Sequence, residues 1–166
     1  MADKFIYMNA GILTELEATV TSAGAGNAGD IVALDGSGKL DSTLMPAGLG
    51  SDSKSLTAGE ALSAGDLVYI NGSGQMLKAD ANAIAKAAVG FVLASVSNGA
   101  SGTAYFEGTI TGLTSLTPGA RYFLSTTPGG ITTTAPTGTA DIVQQVGFAL
   151  SATELSFDAG TPVVRA

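Results

Sequence analysis

The chain has 166 residues, enough for one domain or for a short leading segment and one domain of ordinary size. Apolar residues make up 45% and charged residues only 13%, a balance that supports a core and excludes a disordered chain. The net charge is −7 and the seven basic residues are scattered, which excludes the clustered Lys and Arg that a nucleic-acid surface needs.

Twenty-three glycines, about twice the usual share, accompany abundant Thr, Ser and Ala, and helix-favouring runs of Glu, Lys, Leu and Arg are missing. Many short strands joined by tight turns have this composition, so the predicted fold is all-β: an antiparallel sandwich or barrel of short hairpins with an extended N-terminal arm. With no cysteine there is no disulfide or thiolate chemistry. Met1 to Phe5 lacks the basic stretch and apolar run of a signal peptide. The greasiest segment, residues 83–94, is too short for a bilayer and contains Lys86, so a soluble protein is expected, with no membrane partner.

In chain order, residues 4–9 read as a strand carrying Phe5, Ile6, Tyr7 and Met8. Residues 13–21 fit both the strand and the helix period. Residues 22–29 are Ala/Gly-rich and flexible, and residues 46–53 form a second Gly/Ser-rich break. A boundary near residue 50 follows, with an arm or small β subdomain over 1–50 and an antiparallel β domain over 51–166. The leading segment is poorly able to bury itself alone.

An internal repeat is the most informative feature. Residues 28–40 (AGDIVALDGSGKL) return 36 positions later as residues 64–76 (AGDLVYINGSGQM), with seven of thirteen pairs identical. Each copy reads as an Ala-Gly-Asp turn, a four-residue apolar strand and an Asp/Asn-Gly-Ser-Gly hairpin loop. The chain then returns as a second strand, most clearly over residues 75–80. Two copies do not make a solenoid, so the repeat is a hairpin used twice. Residues 79–88 read as one or two helical turns, with Asp80 as N-cap, or as a loop.

Further along, residues 89–94 form a dense apolar run expected to be buried on both faces. Residues 103–110 read as one long strand with a bend at Gly108. Residues 121–125 turn through Thr127-Pro128-Gly129-Gly130 into residues 131–134 as a hairpin, and residues 142–150 pair with 154–157 through Ser151-Ala152.

The residues that carry chemistry are sparse. Histidine and cysteine are missing, which removes Ser-His-Asp and Cys-His arrangements and the usual zinc ligand sets. Gly36-Ser37-Gly38-Lys39 lacks the first glycine of a phosphate loop, where Ala33 stands, and its magnesium-binding hydroxyl, where Leu40 stands. Lys39 occupies a ligand position that a calcium loop beginning at Asp35 requires. Of Glu15, Glu17, Glu107 and Glu154, only Glu107 lies inside an apolar strand, where an outward orientation is expected. Asn71-Gly72-Ser73 matches a glycosylation sequon, but the repeat accounts for it as turn chemistry. No enzyme activity, metal or cofactor is expected.

Three stretches carry a resemblance. Residues 29–46 (GDIVALDGSGKLDSTLMP) resemble a segment common in tailed-bacteriophage fibre and other virion proteins. Residues 58–68 (AGEALSAGDLV) and 119–131 (GARYFLSTTPGGI) resemble small phage head-associated proteins, among them capsid decoration (cement) proteins. The resemblance implies an antiparallel β domain, a homotrimer, and attachment to the major capsid (coat) protein on the outside of a virion assembled in the host cytoplasm. In that setting an apolar arm adds a strand to coat-protein edges while the domain sits over a junction of the shell. Phe5, Ile6, Tyr7, Met8 and Ile12 are the candidates for that coat contact; the alternative is that they form the first strand of the domain's own sheet. A tail or head-fibre component and a glycan-binding adhesin module are the other functions consistent with the sequence.

Overall fold

The computed structural model describes residues 4–45 and 52–166, so most of the Gly/Ser-rich break expected over 46–53 lies outside the described residues. The chain divides into two compact units, Met1–Gly50 and Ser51–Ala166. Among the described residues every regular element is a strand, apart from three single 3-10 turns. All the strand pairs are antiparallel. The all-β expectation is met.

The first unit opens with β1 (Lys4–Asn9) and β2 (Ile12–Glu17), a hairpin whose two loop residues, Ala10 and Gly11, take φ of 49° and 85°. The expected extended arm is therefore replaced by a folded-back ribbon, and the ambiguous stretch from residue 13 begins as strand. Both follow from the loop: a two-residue bend at positive φ sends the chain back along itself. The remainder of the unit is held by polar contacts of exposed loops. Asp30 Oδ2 accepts from Thr19 Oγ1 at 2.8 Å and Asn27 Nδ2 at 2.9 Å, and Asp41 caps the turn Ser42–Leu44 through Thr43 N at 2.9 Å. No described residue of this unit is buried.

The second unit holds two five-stranded sheets. One runs in the order β3 (Ser53–Thr57), β7 (Ser101–Tyr105), β6 (Gly90–Phe91), β4 (Leu67–Ile70), β5 (Met76–Lys78). The other runs β10 (Ile131–Thr132), β9 (Arg121–Leu124), β12 (Gln145–Ala149), β13 (Leu155–Phe157), β8 (Gly108–Ile110). A short pair, β11 (Ile142–Val143) with β14 (Val163–Val164), ties down the last residues.

Leu67 and Phe91 from the first sheet meet Ile110, Leu124, Leu155 and Phe157 from the second in one core. Phe91 sits edge-on to Phe157, with ring centroids 5.2 Å apart. Successive strand residues face opposite ways, so Val68 and Val92 point to the other side, where they meet Ala58, Leu62, Met76 and Val96 in a second core. The first sheet is thus covered on both faces. Buried Gln144 joins the layers, exchanging bonds of 2.8 Å with the N–H and C=O of Ala88.

Several expectations are corrected. The repeat's second copy makes the full hairpin β4–β5, but its first copy reproduces only the loop, with no strand on either side. In both loops an Asx side chain accepts two backbone N–H groups: Asp35 from Ser37 and Lys39, Asn71 from Ser73 and Gln75. Gly38 and Gly74 take φ of 73° and 75°. Loop chemistry is local and so recurs; strands need neighbours, which only the second copy has. The run 89–94 forms just two strand residues, and Val89 and Leu93 are exposed rather than buried on both faces. The expected long strand 103–110 is two strands, β7 and β8, broken at Phe106-Glu107 where the chain crosses between sheets. Residues 79–88 form one 3-10 turn, Ile84–Lys86, whose cap position is Ala83, so Asp80 is not its N-cap.

At the register shift in β12, Gly147 takes φ of 145°, and a Cβ there would run into the Ser156 carbonyl. Gly147→Ala is expected to lower the unfolding free energy by about 3 kcal/mol, through positive-φ strain and overpacking together, measurable by urea denaturation.

Candidate interaction surface

The register of the β1–β2 hairpin sorts its side chains onto two faces. Phe5, Tyr7, Ile12, Thr14 and Leu16 share one; Lys4, Ile6, Met8, Leu13, Glu15 and Glu17 share the other. Neither face is covered. Ile6, Ile12 and Leu13 are 70–71% exposed, Met8 is 62% exposed, and Phe5 and Tyr7 are half-buried against each other with ring centroids 6.2 Å apart. The Lys4–Glu15 ion pair, at 2.6 Å, is solvent-exposed on both sides and contributes little.

The five sequence candidates thus lie on one ribbon but not on one face. Phe5, Tyr7 and Ile12 stand together, while Ile6 and Met8 look the other way. β1 pairs with β2 alone and is not a strand of either five-stranded sheet.

Leu13 and Leu16 complete the apolar character of the ribbon and were missed by sequence reasoning, because a stretch that fits both periods gives no face until its partner strand is known. Ile31, Val32 and Leu34, in the first repeat copy, are 50%, 46% and 55% exposed. Their equivalents Leu67 and Val68 are fully buried. The repeat itself was the available signal, since it pairs exposed Ile31 and Val32 with buried counterparts, whereas Leu34 and its counterpart Ile70 are both exposed.

Carboxylates stand in two further places. Glu107 and Asp158 line a depression of about 630 Å³ with Phe106 and Phe157. Both carboxylates are exposed, and Glu107 lies in the crossing between β7 and β8 rather than inside a strand. Among the described residues, no group of three or more acidic side chains gathers where it would hold a metal ion. No helix among them is long and apolar enough to cross a membrane.

Among the described residues Asp80 is the one buried carboxylate. Burial pushes its carboxyl up, but the Lys86 ammonium at 2.9 Å and the bonds from Asn82 N and Nδ2 outweigh burial and hold it below the ordinary carboxylate value. Lys86 is raised in turn by its bond to Asp80. The group is structural: Asn82 Nδ2 also donates to Thr126 O, and the N–H groups of Ala81 and Ile142 continue the link between loop and sheet. In the first unit, the bond from Asn27, then that from Thr19, lowers Asp30. Thr43 does the same for Asp41.

The picture is of an all-β protein whose second unit satisfies itself and whose first unit offers uncovered apolar strand. No protein-family model matches the chain, and no curated protein matches it.

A depressed carboxyl contributes stability that is present above the unfolded-state value, near ~4, and lost as pH falls through the lower folded-state value. Asp80→Asn is therefore expected to cost about 1 kcal/mol at neutral pH. The difference from the unaltered chain should shrink as the pH drops below about 4, read by thermal melts across that range.

Proposed function

We propose that the chain is a capsid decoration protein of a tailed bacteriophage, which binds the outer surface of the coat lattice and stabilises it. The observation that carries this reading is the contrast between the units. Among the described residues every buried one belongs to the second unit, and the first has a ribbon with two uncovered apolar faces. A two-stranded ribbon is marginal in water without something to pack against. A body that folds unaided, joined to a ribbon that needs a partner, suits a protein whose work is adhesion to an assembled surface.

The coat contact is assigned to the face formed by Phe5, Tyr7 and Ile12, with Ile6 and Met8 on the reverse. Ligands that bind only the assembled state shift the equilibrium toward it, and many copies acting together stabilise a shell. The acidic excess, −7, suits a partner surface of opposite charge. The resemblance of residues 29–46, 58–68 and 119–131 to virion proteins points the same way.

Deleting residues 1–17 is expected to abolish attachment to purified shells in a co-sedimentation assay, while the second unit, whose cores lack nothing from that segment, still folds. Quantitative mass spectrometry of intact particles should find hundreds of copies; a handful would indicate a tail or fibre part instead. Normal coating of shells by the truncated chain would overturn the assignment of the ribbon.

A further inference from the structure

Among the described residues of the first unit, two open β edges are mainly apolar. The first is the outer side of β1. In a two-residue hairpin the pair next to the loop, here Asn9 and Ile12, is hydrogen-bonded, and bonded and non-bonded pairs alternate from there. The N–H and C=O groups of Ile6 and Met8 therefore point away from β2, and no third strand among the described residues meets them. Natural edge strands are blunted by Lys, Pro, bulges or inward charges. Along β1 the one charged residue is Lys4 at its start, and positions 5–8 hold Phe, Ile, Tyr and Met. By contrast the open edge of β2 carries Glu15 and Glu17.

The second open edge is at Val32. Thr19 occupies one side of this segment, donating to Ile31 O at 2.8 Å and accepting from Ala33 N at 3.0 Å. The N–H and C=O of Val32 face the opposite side and have no backbone partner among the described residues. The repeat shows what belongs there. The equivalent Val68 lies opposite Gly90 of the antiparallel strand β6, and its carbonyl accepts from Val89 N at 2.9 Å. The first copy has the same module with that strand missing.

We propose that β1 of one copy of this chain adds as a strand to the Val32 edge of another, linking the first units of several copies into a discrete oligomer. Each chain holds both halves of the junction, so head-to-tail pairing satisfies both edges at once, whereas a foreign strand would satisfy only one. Apolar residues stand at both edges and are exposed in the single chain: Ile6 and Met8 at one, Ile31 and Val32 at the other. Joining edges turns a marginal two-stranded ribbon into a wider sheet. The inference stands apart from the coat-binding reading, which uses the faces of the ribbon and not its edge.

The test is sedimentation equilibrium of the full-length chain, free of any shell. The unaltered protein is expected to sediment as a discrete multiple of 16.3 kDa. Ile6→Pro and Val32→Pro each remove one outward donor without touching a bond the chain makes to itself, and each should sediment as monomer. Mixed together they should form dimers, because one supplies an intact Val32 edge and the other an intact β1. This complementation also guards against misfolding, since each variant must present a folded edge to its partner. A monomeric unaltered chain, oligomers that survive either substitution, or a mixture that stays monomeric would each overturn the proposal. The second of these would point to β1 pairing with β1 if only Val32→Pro survived. A chain monomeric in solution that still coats shells would show the edges to be filled by the coat protein.

Discussion

Neighbouring residues of a strand point to opposite faces, so a strand that is apolar at successive positions is stable only when both of its faces are covered. The second unit meets this constraint. Leu67 and Val68 are adjacent and fully buried, one in the core shared by the two sheets and the other in the core beneath the loop of Ala58 and Leu62. Phe91 and Val92 repeat the arrangement one strand over. At about 25 cal/mol per Å², burying such side chains contributes roughly 1.5–3 kcal/mol each. Those four residues are the seam along which the unit is assembled.

The first unit shows the same constraint unmet. Phe5, Ile6, Tyr7 and Met8 alternate between the faces of a ribbon with nothing on either side, and Ile31 and Val32 have a neighbour on one edge only. What fixes the unit's conformation is a set of exposed hydrogen bonds around Asp30, Asp35 and Asp41, each of modest net value. Such a unit holds its shape locally while leaving its apolar surface for a partner. That division of labour, a self-sufficient body and a needy ribbon, is the physical basis for reading the protein as an adhesive component.

The two copies of the repeat act as an internal control. Their loops agree bond for bond, because an Asx side chain closing onto two following N–H groups needs only its own few residues and a glycine at positive φ. Their flanking segments diverge, because strand formation depends on what lies alongside. In the second copy β6 and β5 lie on either side of β4; in the first, a single bridge to Thr19 stands in for one of them. Asn71 within its sequon is occupied by this turn, its Oδ1 accepting from Ser73 and Gln75.

By itself the sequence determined whatever rests on short-range chemistry. Composition and turn residues specified an all-β chain, the Asx-Gly-Ser-Gly motifs specified both loops, and Thr127-Pro128-Gly129-Gly130 and Ser151-Ala152 marked hairpins that form. The apolar residues 5–8 were legible as part of a strand over residues 4–9, and that strand forms. Only the tertiary structure decided that residues 4–17 fold back instead of extending, that the run 103–110 splits between two sheets, and that Val89 and Leu93 face solvent. It also decided that Leu67 and Val68 of one repeat copy are buried while Ile31 and Val32 of the other are exposed. The reason is common to all of these: a strand's periodicity says which residues share a face, but whether that face is covered depends on partners distant in sequence, and no local pattern encodes them.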